Sequence, residues 1–505
     1  MSLVLKVMMV MMVRECVATP AALHYTNTYN KYQAFTFNRL EEKKVSQYCY
    51  SDDPQPYHHM ATKTSYLYAR DTHLTHDTLV PEGCEGRQVW HVVRHGTRYP
   101  SPNDLQEFIT ILPLLQTRIL QAHQDGKGEL CPGDVALVAG WELGDLNTSL
   151  ALNLTAAGAA EVRGLAADLQ VALPTLLHQP FTNQSYTFRH TKSERTEMSA
   201  RAYAEGMFGS SAQVYFPPPL DPDPVLKFYD VCPRYQVEVK DNPEAVKEST
   251  LFLHGPQMAA VITRVSLHLG LSLTQHEVNL LYNGCRYYQA WSPTLPSAWC
   301  VAFTHHDLKV LEYNQDLKDY YEVGYGHNIN YQMACPLIQD AFQHFRSVVE
   351  GEGRPKGVFY FTHSVALLTM MTRLGLYQDR HPLTHLNLDP TRQWRTSLHG
   401  SFAANVAFTL SHCPQHQHKW WVSLVEGERG VALEGCEGQE RGCTWDEWVQ
   451  VVSRFLPCNL THICALNQHQ QHQQQQQQQD NHHQQKPAPI SVLWGMLKWL
   501  VTLFI

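Results

Sequence analysis

Residues 88–100 read Gln-Val-Trp-His-Val-Val-Arg-His-Gly-Thr-Arg-Tyr-Pro, an apolar strand that runs into a turn rich in cations. The valines and Trp90 suit a strand buried on both faces. Beyond it, Arg94-His95-Gly96-Thr97-Arg98-Tyr99-Pro100 gathers two arginines, a histidine and a glycine. Gly96 lets the backbone turn tightly against a ligand. A single Arg or His is ordinarily a surface residue or a satisfied buried one; this group at a strand end marks a site.

Two more segments share the pattern of short strand, charged turn and helix. Tyr186-Thr-Phe ends at Arg189 and leads into a helical pattern over 191–207, with Arg195 near its start. Val358-Phe-Tyr-Phe runs into Thr362-His363, and Leu367, Leu368, Met371 and Leu374 then recur at helical spacing. Strands alternating with helices predict an α/β fold with a parallel sheet covered on both faces. In such sheets ligands bind beyond the carboxyl ends of strands. Arg94, His95, Arg98, Arg189, Arg195 and His363 are therefore expected to converge, with Lys192 a further candidate cation; a solvated lysine is the plainer reading of that last residue.

Such a cluster points to phosphate chemistry. Guanidinium forks match phosphate oxygens bidentately and stay charged at any working pH. A histidine among them can take up a phosphoryl group on a ring nitrogen, while the cations hold the equatorial oxygens. The sequence carries no Gly-x-x-x-x-Gly-Lys loop and no metal-binding carboxylate cluster. The expected partner is a small anionic phosphorylated substrate.

The bulk composition agrees with a local site. The chain has 505 residues, 44% hydrophobic and 10% aromatic, enough for a large core. Its net charge of −8 gives no basic surface for nucleic acid, so the positive field has to come from a few placed cations.

Several features predict the secretory pathway, with extracellular, cell-surface and endoplasmic-reticulum-lumen destinations all open. The apolar run Met8–Val13 precedes small residues, so residues 1–18 read as a signal peptide; a disordered apolar N-terminus is the alternative. Cleavage after Ala18 removes Cys16 and leaves 12 of the 13 cysteines, an even set with no Cys-x-x-Cys zinc spacing. Cys436/Cys443 and Cys458/Cys464 are near enough in sequence to close small loops. Asn147, Asn153, Asn183 and Asn459 head glycosylation sequons.

The folded domain is expected over residues 25–465. Residues 467–485 are nearly all Gln, His and Asn and read as a disordered linker, with loose metal binding the lesser alternative. The hydrophobic tail 490–505 resembles a lipid-anchor attachment signal, with Asp480 or Asn481 as attachment residue, giving membrane attachment. A short tail anchor, or an amphipathic end packed on the protein, are the alternatives.

The heptapeptide 94–100 resembles the signature of the histidine acid phosphatase branch of the histidine phosphatase superfamily. More narrowly, the chain resembles the multiple inositol polyphosphate phosphatases. Ala61-Thr-Lys-Thr-Ser-Tyr, Leu154-Thr155 with Gly158 and Glu161, and Phe188-Arg189 through Arg195-Thr196 to Gly206 are similar to that subfamily's blocks. So are Asp316-Leu-Lys-Asp-Tyr-Tyr through Gly324-Tyr-Gly-His-Asn-Ile-Asn-Tyr, and Cys335-Pro-Leu. The resemblance implies a phosphoglycerate-mutase-like parallel sheet core flanked by helices, with an inserted, mostly helical cap. It implies His95 as nucleophile, with Arg94, Arg98, Arg195 and His363 as phosphate ligands, and neither a metal nor an organic cofactor. The implied substrates are inositol hexakisphosphate, lower inositol polyphosphates and bisphosphoglycerate.

One position departs from the pattern. Most members place Asp directly after the C-terminal histidine, and the inositol polyphosphate subfamily has His-Ala-Glu. This chain has His363-Ser364-Val365. The general acid is therefore unknown, its expected position being occupied by Val365. Loss of a positioned acid forfeits roughly 10²–10⁴-fold in rate. Three readings stay open: a phosphatase with another acid, a weak enzyme for activated esters, and a protein that binds inositol phosphates without turnover.

Overall fold

A computed structural model describes residues 48–49, 56–70, 74–210, 212–351, 355–436 and 442–467. The signal-peptide and tail expectations, the linker beyond Asn467, Cys16, Asp480 and Asn481 lie outside the described residues.

One sheet organises the chain. Its strands are β1 (Glu85–Arg94), β2 (Tyr186–His190), β3 (Gly357–Thr362), β4 (Asn405–His412), β5 (Trp420–Glu426), β6 (Arg429–Gly430) and β7 (Cys443–Thr444). The order is β2-β3-β1-β4-β5-β6, with β7 also paired to β5. The three strands read from sequence are mutually parallel: β1 pairs β3, and β3 pairs β2. The parallel core of the α/β fold is thus as expected, and the sheet continues beyond it with antiparallel strands, β4 to β1 and β5 to β4. Only residues 413–419 join β4 to β5, a hairpin-length connection with no room for the crossover that parallel strands require.

Alternation along β1 sends side chains into two cores. Trp90 and Val92 enter one, Val89 and Val93 the other. The second core is closed by α3 (Ala156–Ala172) and α4 (Glu194–Phe208), through Val162, Leu165, Tyr203 and Met207. Ahead of these, α1 (Pro102–Thr110) and α2 (Leu112–Gln124) cover the first core. Between α4 and β3 the chain makes a long helical insertion. It contains α5 (Pro256–Leu269), α6 (Gln275–Trp291), α7 (His305–Glu322) and α8 (Cys335–Val349). After β3 come α9 (Ser364–Arg373) and, beyond β7, α10 (Trp445–Ser453).

Twelve cysteines form six disulfides: 49–131, 84–413, 232–464, 285–300, 335–458 and 436–443. The neighbours Cys458 and Cys464 do not pair with each other. Each reaches back more than 100 residues, binding the C-terminal end of the described chain to the helical insertion and to α8. Such a set belongs to an oxidising compartment, secreted or luminal. No described helix is long and apolar enough to cross a membrane.

Candidate active site

The strand registers bring the site together. Arg94 lies opposite Thr362 and His190 opposite Phe361, so the carboxyl ends of β1, β2 and β3 stop level with one another. His95 N–H then donates to the Thr362 carbonyl (3.0 Å), and Thr191 N–H to that of Phe361 (3.2 Å).

The turn after β1 is clamped from behind. Glu161 on α3 accepts from Thr97 N–H (3.0 Å) and Thr97 Oγ1 (2.8 Å), and also from Ser65 Oγ and Tyr66 N–H. Ser199 on α4 accepts from Gly96 N–H at 3.1 Å. A carboxylate holding four donors fixes a loop far better than packing alone.

His95 sits at the bottom, 3% exposed. Its Nδ1–H donates to the Gly96 carbonyl at 2.8 Å. A carbonyl only accepts, so Nδ1 carries the hydrogen and Nε2 keeps its lone pair. Burial, then Arg94 and His363, push the imidazole well below its ordinary pKa, which keeps that lone pair free of a proton. The His363 ring stands edge-on, centroids 5.6 Å apart. His363 Nε2–H donates to Thr191 Oγ1 (3.0 Å), while Nδ1 faces Arg195 Nη2 at 3.4 Å. Burial, then Arg195, lowers its pKa as well.

Arg94 donates to the Thr62 and Gly400 carbonyls and lies 4.6 Å over the Phe402 ring. Its Nε, like Nε of Arg195, is buried and without a hydrogen-bond acceptor. Buried guanidinium donors left unpaired are costly. Arg98 uses Nη1 on the Tyr99 carbonyl, and its charge presses on Arg94, Arg195 and both histidines.

Of the cations expected to converge, Arg94, Arg98 and Arg195 do so with His95 and His363. Arg189 does not: its Nη2 is bound by Asp223, and it lies over the Tyr360 ring. A strand's side chains alternate sides, so a strand-end arginine need not face the same pocket. Lys192 is exposed and pairs with Asp221. Val365 occupies the first turn of α9, packed against the core. Three sequon asparagines, Asn147, Asn183 and Asn459, are exposed and Asn153 is half-buried.

Sequence reading missed Lys63, Arg286 and Lys227 as site cations. Burial, then Arg286, Arg98 and Arg94, hold the Lys63 amine well below its ordinary pKa, and Lys227 acts on His363. Lys63 lay inside a quoted block, Ala61-Thr-Lys-Thr; Arg286 is on α6 and had no local signal at all. As for metals, the single three-ligand group among the described residues is Cys49, Cys131 and Asp134, whose two sulfurs are joined as a disulfide.

Comparison with known proteins agrees with this geometry. Residues 87–426 match the family described as the histidine phosphatase superfamily, branch 2. The chain is 32% identical over 401 residues to multiple inositol polyphosphate phosphatase 1 of Drosophila melanogaster, covering 77% of this chain and 84% of that one. It is 29% identical over 389 residues to the Homo sapiens protein of the same name, covering 72% and 77%. Among solved structures, the phytase from D. castellii shares the fold with a TM-score of 0.65 at 17% identity, over 82% of this chain and 88% of that one. The Bifidobacterium longum multiple inositol polyphosphate phosphatase complexed with inositol hexasulfate gives 0.56 at 15%, over 75% and 94%. This chain belongs to branch 2 of the histidine phosphatase superfamily, among the multiple inositol polyphosphate phosphatases, and is a phosphoric monoester hydrolase of that family.

Proposed function

We propose that the chain removes phosphates from inositol hexakisphosphate and lower inositol polyphosphates through a phosphohistidine on Nε2 of His95. The observation that carries this reading is the bond from His95 Nδ1–H to the Gly96 carbonyl, which leaves an unprotonated nitrogen facing a ring of cations. Arg94, Arg98, Arg195 and His363 hold the phosphoryl oxygens. The unpaired Nε atoms of Arg94 and Arg195 are donors waiting for an anion.

Attack by Nε2 forms the P–N bond as the ester P–O bond breaks. The charge that spreads over the equatorial oxygens meets guanidinium groups held in place, with Arg94 buried. Water then attacks phosphorus, and the P–N electron pair returns to Nε2. Arg286 extends the positive lining. Lys63, whose charge burial and the guanidinium groups disfavour in the free site, would gain its proton with an anion beside it, which suits a substrate with several phosphates on one ring. The names of the relatives support the same substrate class.

Six disulfides and exposed sequons support passage through the secretory pathway, with residues 1–18 as the signal and 490–505 as a membrane-attachment signal. The unit that folds would be 25–465, and Asn147, Asn183 and Asn459 would carry glycans.

The test is phosphate release from inositol hexakisphosphate by the secreted protein and by His95→Ala, with acid-stable trapping of nothing and base-stable trapping of phosphohistidine. Turnover and a phosphoenzyme in the native chain, both lost in His95→Ala, are expected. Tight binding of the ligand with neither turnover nor phosphoenzyme would make the chain a binding protein instead.

A further inference from the structure

Helix α7 carries five carboxylates, Asp307, Glu312, Asp316, Asp319 and Glu322. Four are neutralised by specific partners. Asp307 takes Arg264; Glu312 takes His59, Arg392 and Arg395; Asp316 takes Arg392 and Thr396; Glu322 takes Lys240. The Asp319 carboxyl has neither hydrogen bond nor ion pair among the described residues; its backbone carbonyl is engaged by Val323 N–H. It is also half-buried.

Its position is set by helical spacing. Residues 312, 316 and 319 share one face of α7, since neighbours three and four apart stack. That face holds Glu312 against His59 and Asp316 against Thr396, both beside the turn Ala61–Lys63. One turn further, Asp319 comes beside Lys63, and its charge acts on both Lys63 and Arg94. Thr62 ties those two cations together, accepting from Arg94 through its carbonyl and from Lys63 through Oγ1. Asp319 is thus an unpartnered carboxyl at the cationic pocket, in a chain whose usual acid position holds Val365.

We infer that Asp319 replaces the missing general acid, delivering a proton to the leaving alkoxide of the inositol ring. The inference rests on the phosphohistidine reading above. As the P–O bond breaks, its electron pair goes to the leaving oxygen, which takes the Asp319 proton. In the second step the attacking water returns a proton to the Asp319 carboxylate, and the P–N pair reverts to His95 Nε2.

The protonation state fits this role. Burial, then Glu322, push the Asp319 carboxyl up to about 7, against the opposing charge of Lys63. The groups that face it are Glu322, Lys318 and Asp316 on its own helix, with Lys63, Arg94 and Tyr235 from packed elements. At neutral pH and below, a large share of the carboxyl carries the proton that it has to give.

Asp319→Asn separates the roles. Single-turnover phosphorylation of His95 by inositol hexakisphosphate should slow by about 10²-fold. Phosphorylation by 4-nitrophenyl phosphate, whose leaving group needs no proton, should slow much less. The alkaline limb of the native rate profile near pH 7 should vanish in the variant. Val365→Glu on the Asp319→Asn background should restore the lost rate. Equal slowing with both substrates, or no slowing with either, would overturn the assignment. If His95→Ala keeps the native rate, the phosphohistidine reading itself fails, whatever Asp319 does. A native chain inert to both substrates removes both claims.

Discussion

Gly96 and Gly158 meet backbone to backbone, so that the loop bearing His95 rests directly on the first turn of α3. A Cβ on Gly96 would lie 2.3 Å from the Gly158 carbonyl oxygen, and one on Gly158 would lie 2.1 Å from that of Thr97. Both obstacles are backbone and cannot swing aside. Thr155, which caps α3, also donates through N–H and Oγ1 to the Thr97 carbonyl, both at 2.9 Å.

Gly158→Ala should therefore lower stability by about 1–3 kcal/mol and displace the loop. The lower thermal midpoint should come with a loss of phosphate affinity. A midpoint and affinity equal to the native values would show that the two backbones are not held in contact.

Glu312 sits in a buried network with His59, Arg392, Arg395 and Ser397. Its carboxyl is lowered from 4.5 to about 2; burial opposes this, and His59, Arg395 and Arg392 overcome it. A depressed carboxyl contributes stability above its unfolded pKa and loses it as pH falls through the folded value. Native stability should decline between about pH 4.5 and 2, and Glu312→Gln should flatten that decline while lowering stability at neutral pH by about 3–5 kcal/mol. Chemical denaturation across this pH range is the measurement.

Cys464 bonds to Cys232, and Arg234 N–H donates to the Cys464 carbonyl at 3.3 Å, so the end of the described chain is stitched to the helical insertion. Peptide mapping without reduction should recover 232–464 and 335–458, and no 458–464 link. Replacing Cys232 and Cys464 together by serine should cost about 2–5 kcal/mol. An unchanged unfolding midpoint would mean that this bridge constrains little.

Val365 lies in the first turn of α9, behind the N-cap His363 and only half-buried. A carboxylate there faces the positive end of the helix and displaces little packing. With Asp319 supplying the proton, Val365→Glu in the otherwise native chain should change turnover of inositol phosphates by less than about 10-fold. Steady-state kinetics would show it; a gain of about 10²-fold or more would mean that the native chain lacks a positioned acid and that Asp319 does not fill the role.

The three strand-to-turn segments were legible because each is local: a few buried β-formers followed by charged residues within one short stretch. Arg94, His95, Arg98, Arg195 and His363 could be picked out on that basis. Arg189 could not be sorted from them, because its direction depends on Asp223, which lies 34 residues away in sequence. The antiparallel half of the sheet was hidden in a hairpin without a strong turn signature. Lys63, Arg286 and Asp319 sit on three separate elements that only tertiary packing brings to the pocket.

By itself, the sequence determined which residues are proposed to hold and attack a phosphate, because residue type and local strand-end context point to that chemistry. It also displayed the loss of the usual acid at Val365. Only the tertiary structure decided which nitrogen of His95 is free, how twelve cysteines pair, and which carboxyl stands unpaired beside the cations. Those depend on distances between residues remote in sequence, and on burial, which sets hydrogen-bond partners and proton affinities that no local pattern encodes.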